Sequence, residues 1–168
     1  LDANIYTMNN RAEAFWMKKG ILGDTVPLEL NAKELVHRNN KNSELTVYGY
    51  TPMMVSVQCV QKTMDHCNHA CVQYVLKDRY QKEFRGVCSC EFCYNTIYNT
   101  LPTSLLKEKE KAEKLGVKAY RLSFTTETQQ ETEKIVRAFV DVYLRGQKPD
   151  GQMQTEETTK GHFQRGVE

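Results

Sequence analysis

Several things are missing from this 168-residue chain, and each absence narrows what it can be. No stretch approaches the roughly 18 consecutive apolar residues of a membrane-spanning helix. No charged segment followed by an apolar core opens the chain, so nothing reads as a secretory leader. These two absences lead to the expectation of a cytoplasmic protein with no membrane partner. Glycine-rich phosphate loops of the form G-x-G-x-x-G or G-x-x-x-x-G-K are absent, as are the H-E-x-x-H and G-x-S-x-G signatures of metal and serine hydrolases. Charge of one sign is not in excess: 23 Lys and Arg oppose 21 Asp and Glu, a net +2, so a broad basic surface for nucleic acid is not indicated, whereas a local patch is compatible with it. Cysteine is absent from every part of the chain except residues 59–93.

What is present fits one globular domain, with 40% hydrophobic and 26% charged residues. The opening Leu1, running at once into apolar sequence, leads us to expect a piece of a longer protein. Ala3 to Met8 reads as a strand, and Asn9 or Asn10 can cap a helix bearing Ala12, Phe15 and Trp16, stopped at Gly20. Val26-Pro27-Leu28 is a short strand, and Asn31 opens a helix with Leu35 and Val36. Leu45 to Tyr48 is a third strand ending at Gly49. A hairpin is expected around Tyr74 to Asp78, and Tyr94 to Tyr98 is a fourth strand. A helix follows with Leu105, Leu106, Ala112 and Leu115 on its apolar face and Gly116 at its end. The clearest strand is Val117 to Phe124. Thr125 or Thr126 then caps a helix in which Ile135, Val136, Phe139, Val142 and Tyr143 share a face, ending at Arg145-Gly146. Residues 147–168 form a polar tail.

Repeated strand–helix units imply a parallel sheet. Four of them make half of an eight-fold barrel, with an open doubly wound sheet as the alternative. The expected class is therefore α/β: residues 1–146 form half of a TIM-like barrel, interrupted by a cysteine-rich metal-binding insert at 59–93. In a barrel, function gathers at the C-terminal ends of the strands. Glu29, Tyr50, Asn95, Asn99 and Glu127 lie at such ends and are the candidate substrate-binding residues. Glu29 stands out, since a carboxylate between Leu28 and Leu30 is costly to bury unpaired.

The six cysteines, Cys59, Cys67, Cys71, Cys88, Cys90 and Cys93, read as a reduced metal site rather than a disulfide framework. Two ligand sets compete. Cys67-x3-Cys71 with Cys90-x2-Cys93 resembles a four-thiolate zinc ribbon. Cys59, Cys67, Cys90 and Cys93 would suit an iron–sulfur cluster, and spacing alone slightly favours zinc. His66 and His69 lie inside the cluster and can each replace a thiolate. His162, in the tail, could pair with a cysteine as a protease dyad.

The run Val47-Tyr48-Gly49-Tyr50-Thr51-Pro52-Met53-Met54-Val55-Ser56-Val57-Gln58-Cys59 resembles the signature of the collagenase-like peptidase family U32. Lys77-Asp78-Arg79, Cys90-Glu91-Phe92-Cys93-Tyr94-Asn95-Thr96-Ile97-Tyr98-Asn99 and Arg121 to Glu127 extend the likeness. The closing Thr159 to Val167 is similar to clostridial-type members. The resemblance implies that this chain is the C-terminal half of a TIM-like barrel, with the N-terminal half as its partner. It also implies an iron–sulfur cluster (4Fe-4S) held by Cys59, Cys67, Cys90 and Cys93, with Cys71 and Cys88 as alternates. Family members that act on RNA or in quinone synthesis use such clusters in hydroxylation without molecular oxygen. RNA or a small aromatic molecule is therefore the expected substrate. Collagenase-like proteolysis and a zinc-stapled binding module without catalysis are the alternatives.

Overall fold

The computed structural model describes residues 1–65, 67–149 and 157–166. It is a mixed α/β chain with two four-stranded sheets. The first is organised on β2 (Ser43–Gly49), whose residues are mostly buried. One edge of β2 pairs in parallel with β1 (Asp24–Thr25), and the other pairs in parallel with β8 (Ala119–Ser123). The short β7 (Thr103–Ser104) pairs antiparallel with the C-terminal end of β2, on the same edge as β1. Parallel neighbours need long crossovers. Helix α2 (Ala32–Val36) carries the chain from β1 to β2, and α4 (Lys109–Lys114) precedes β8. Asn31 caps α2 in a reciprocal box with Glu34. Gly116 follows α4 at φ +63°, a left-handed stop natural to glycine.

The second sheet is the insert, wholly antiparallel: β3 (Pro52–Ser56), β6 (Tyr94–Tyr98), β5 (Glu83–Ser89) and β4 (Gln73–Lys77), in that spatial order. The expected hairpin is β4–β5. Its turn is held by Asp78, whose side chain accepts the N–H groups of Tyr80 and Lys82 at 2.8 and 2.9 Å. The Tyr94–Tyr98 segment is a strand as expected, but it joins this antiparallel sheet rather than the parallel one. Its alternating residues are satisfied by β3 and β5 on its two sides. Helix α3 (Val60–Thr63) connects β3 to the cysteine loop.

The opening segment also differs from expectation. Ala3–Ile5 is a 3-10 turn, because the Asp2 carboxylate caps the Ala3 N–H at 2.8 Å and Tyr6 turns left-handed at φ 55°. Helix α1 (Asn10–Lys18) then starts from Asn9, which accepts two backbone N–H groups. The last long helix, α5 (Gln129–Phe139), starts from Thr128 rather than Thr125 or Thr126. Thr128 and Glu131 complete a reciprocal capping box, while the N–H groups of Thr125 and Thr126 are taken by the Glu127 carboxylate in the preceding turn. A π-helical turn, Val140–Leu144, extends α5.

One core joins the helices to the parallel sheet: Leu45 and Val47 of β2, Leu35, Ala112, Phe139 and Val142. The segment 157–166 returns to this body. Thr159 bridges to Thr103, Phe163 is buried in the core, and Lys160 pairs with Glu108.

A buried polar knot ties the start of the chain to this frame. Arg38 donates to the Thr7 carbonyl (2.8 Å), to Asn40 and Ser43 (both 2.9 Å), and to Asp24, with which it is ion-paired. Asp24 also accepts from the hydroxyls of Ser43 (2.5 Å) and Thr7. Removing one partner of such a pair strands a buried charge, which costs about 3–5 kcal/mol. Arg38→Met is expected to lose about that much in urea unfolding followed by circular dichroism. A loss under about 1 kcal/mol would show the knot to be dispensable.

Glu108 yields a second expectation. Burial raises its carboxyl pKa, but hydrogen bonds and charge from Lys111 (2.7 Å) and Lys160 outweigh burial and hold it below the usual carboxylate range. A depressed carboxylate pKa gives stability that is complete above the unfolded value of about 4.3 and is lost as pH falls through the folded one. The Thr159 N–H, bonded to the Pro102 carbonyl at 2.9 Å, reports on this docking. Its hydrogen-exchange protection should drop in that acidic window, and Glu108→Gln should remove the pH dependence.

Candidate metal centre

All six cysteines are free thiols, and the insert sheet brings them to one region. Cys59 stands at the N-cap position of α3, without a side-chain cap hydrogen bond, and is buried; Cys88, near the end of β5, is fully buried. Their sulfur atoms lie 3.8 Å apart. Cys90 opens the 3-10 turn Cys90–Phe92 that links β5 to β6. Cys93 closes that turn in the left-handed region (φ 52°), with its Sγ 3.7 Å from the Cys90 carbonyl oxygen. Cys67 and Cys71 are exposed on the loop before β4. His69 sits between them at φ 57°. The Sγ atoms of Cys67 and Cys90 and a ring nitrogen of His69 lie within 4.8 Å of one another.

The electrostatics follow from this crowding. Backbone N–H groups of α3, Lys62 first, lower the pKa of Cys59 despite its burial, with help from the Cys88 thiol. Burial, then the hydrogen bond and charge of Cys59, push Cys88 up to about 11. Cys59 is therefore the sulfur of the pair that gives up its proton first. Burial raises Cys90 too, followed by the charges of Cys67, Cys93, Cys71 and Cys59. At Cys88 and Cys90 burial and neighbouring thiols thus oppose ionisation, and a bound cation inverts that preference. The donor set is soft sulfur with one imidazole, which fits a thiophilic metal. The group Cys67, His69 and Cys90 can hold a metal ion.

Of the four expected thiolates, Cys67 and Cys90 belong to this close group. Cys59 is packed against Cys88, and Cys93 points toward the Cys90 carbonyl. His69 joins the group, whereas His66 lies outside the described residues. His162 donates through Nδ1 to the Gly166 carbonyl (3.0 Å) and has no thiol partner among the described contacts.

The expected substrate-binding residues divide between places. Tyr50 lies under the Arg85 guanidinium, 4.8 Å from the ring centroid, and Arg85 donates to the Thr126 hydroxyl at 3.1 Å. Glu127 accepts the N–H groups of Thr125 and Thr126 through Oε2 (2.6 and 3.0 Å), while its buried Oε1 has no hydrogen-bond partner. These residues meet where β2 and β8 end. Tyr98 belongs there too, since its pKa is raised by burial and then by the charges of Tyr94 and Glu127. Asn99 instead lines a small cavity of about 90 Å³ with Thr51, Met53 and Phe163. Glu29 has a buried, unpartnered Oε2. Asn95 pairs with Cys88 in the strand register and so projects from the sheet face opposite Arg85. Arg85 was not identifiable from the sequence. The available signal was an arginine alternating with apolar residues inside a strand.

No helix among the described residues is long and apolar enough to cross a membrane. Comparison of the chain with protein-family models, curated proteins and solved structures gives no significant match.

Replacing a thiolate ligand by a hydroxyl exchanges a soft anion for a hard neutral donor. Cys67→Ser and Cys90→Ser are each expected to lower metal affinity by more than the roughly 10–100-fold typical of groups that merely orient ligands. Mass-spectrometric metal analysis of the purified variants checks this. Full loading of Cys90→Ser would remove that residue from the ligand set.

Proposed function

We propose that this chain is the cysteine-bearing half of a barrel enzyme of the U32 type, and that it holds an iron–sulfur cluster. The cluster would serve oxygen-independent hydroxylation of an RNA base or a small aromatic substrate in the cytoplasm. The observation that carries the reading is the convergence of six free thiols from α3, the cysteine loop and the β5–β6 turn. Cys59, Cys67, Cys90 and Cys93 would be the ligands, with Cys71, Cys88 and His69 within reach as alternates. When bound, such a cluster supplies electron transfer or an iron site for substrate activation.

The chain's own residues supply binding and orientation. Arg85, fixed on Tyr50 and Thr126, offers guanidinium donors at the ends of the parallel strands. Glu127 presents an unpartnered carboxylate oxygen at the same end. The barrel reading is supported by β8, which pairs only with β2 among the described strands. A further parallel strand from an N-terminal half would cover that edge. Peptide hydrolysis is less well supported, since no described histidine is bonded to a thiol.

A specific observation favours a second reading. The imidazole of His69 in the close group suits zinc as well as iron. Anaerobic purification separates the two. An iron–sulfur protein is brown, absorbs near about 400 nm through charge transfer, and contains iron and acid-labile sulfide together. A colourless preparation containing zinc and no sulfide would overturn the iron–sulfur reading.

A further inference from the structure

The insert sheet has a second face, unconnected with the Arg85 group. The register places Ser56 beside Asn95, Met54 beside Ile97, and Gly86 between Ile97 and Tyr74, all on the face that carries Cys88. Val60 of helix α3 and Met64, which follows the helix, overhang this face and leave an open groove of about 260 Å³. That is under the roughly 300 Å³ at which sites for drug-sized ligands begin, so the groove suits a single ring.

Two polar groups in it are unexplained. Asn95 is 1% exposed; its Nδ2 donates to the Gln58 carbonyl at 2.8 Å, but its Oδ1 has no partner. The Tyr74 hydroxyl is buried and also unpartnered. Buried polar atoms in native proteins are nearly always satisfied, so two orphans in one groove call for a ligand. Tyr74 is held there by a sequence choice: a Cβ on Gly86 would lie 2.3 Å from the Tyr74 ring. Glycine at 86 lets the phenol lie flat across the sheet. No charged side chain lines the groove.

We propose that this groove is a binding site for one uncharged aromatic or heteroaromatic ring that donates an O–H or N–H to Asn95 Oδ1. The Tyr74 hydroxyl is the second polar contact, and Met54 and Ile97 hold the ring face. The site adjoins the thiols, because Asn95 pairs with Cys88 and Gln58 precedes Cys59. Binding requires no metal; only the fate of the bound ring rests on the function proposed above. A free ring and a base of an RNA strand offer the same contact to Asn95.

The test titrates the chain, as purified, with phenol, with anisole, with cytosine and with an oligocytidylate, observing by NMR the backbone amide of Ile97, which lines the groove and is present in every variant. Phenol and cytosine should shift it. Anisole, the same ring without a donor, should bind about 10-fold more weakly, because Oδ1 stays unpaired. Asn95→Leu should erase the preference for phenol. Met54→Lys, at a half-exposed position that leaves the fold intact, should abolish ring binding by placing a charge in the groove. Oligocytidylate binding that exceeds cytosine and weakens steeply with salt assigns the ring to RNA; salt-independent binding no tighter than cytosine assigns it to a free molecule. Equal affinity for phenol and anisole, or phenol binding unchanged in both variants, overturns the site. Metal content of the same samples keeps the readings apart: discrimination without metal defeats only the cluster, and metal without discrimination defeats only the groove.

Discussion

The structure depends on the pairing of β2 along both of its edges. Glu44 is matched to Thr25 on one side and Ala119 on the other, and Tyr48 to Ser104 and Leu122. A strand so placed must have an apolar face, which Leu45 and Val47 supply. It must also end where its neighbour approaches closely. Gly49 meets that need: its φ is +152°, and a Cβ there would lie 2.7 Å from the Ser123 carbonyl oxygen. A side chain at 49 would push β8 away and displace Thr126 and Glu127, which follow it. The polar group at the strand ends therefore inherits its geometry from one glycine.

The insert solves a different problem. Six thiols cannot be brought together by apolar burial alone, since burial and mutual charge both raise the pKa values of Cys88 and Cys90. Antiparallel pairing does the positioning. The β5–β6 turn sets Cys88, Cys90 and Cys93, and the end of β3 leads into Cys59 at the start of α3. The exposed loop bearing Cys67, His69 and Cys71 then closes over Cys90. The ligand set is thus divided between cysteines set by strand pairing and residues on an exposed loop, an arrangement in which metal binding is coupled to folding.

Much of the parallel part was legible in the sequence because its signals are local. Asn9, Asn31 and Gly116 mark helix ends by cap chemistry, and the apolar period over Ile135 to Tyr143 marks α5. The insert was less legible. Tyr94 to Tyr98 has the same alternation whether its neighbours are parallel or antiparallel, so strand type could be read but not sheet membership. Ala3 to Met8 has strand formers throughout, yet one carboxylate at Asp2 and a left-handed Tyr6 override them. At the site, spacing identified the cysteines as a group. It could not order them, because the 3.8 Å approach of Cys59 to Cys88 depends on a pairing 29 residues apart in sequence.

The two faces of the insert sheet differ in kind, and the difference originates in single alternating positions. On β5, Arg85 points to the parallel strands while Gly86 and Cys88 point away. A one-residue slip of β5 would place the guanidinium among the thiols, where it would stabilise thiolates and compete with a metal for them. It would also bring the bare glycine under Tyr50, removing the ring's cation. The register is fixed against that slip by five successive pairs with β4 and four with β6. Holding the Arg85 guanidinium on the face opposite Cys88 is therefore a consequence of strand pairing, and it keeps that charge out of competition with a metal for the thiols.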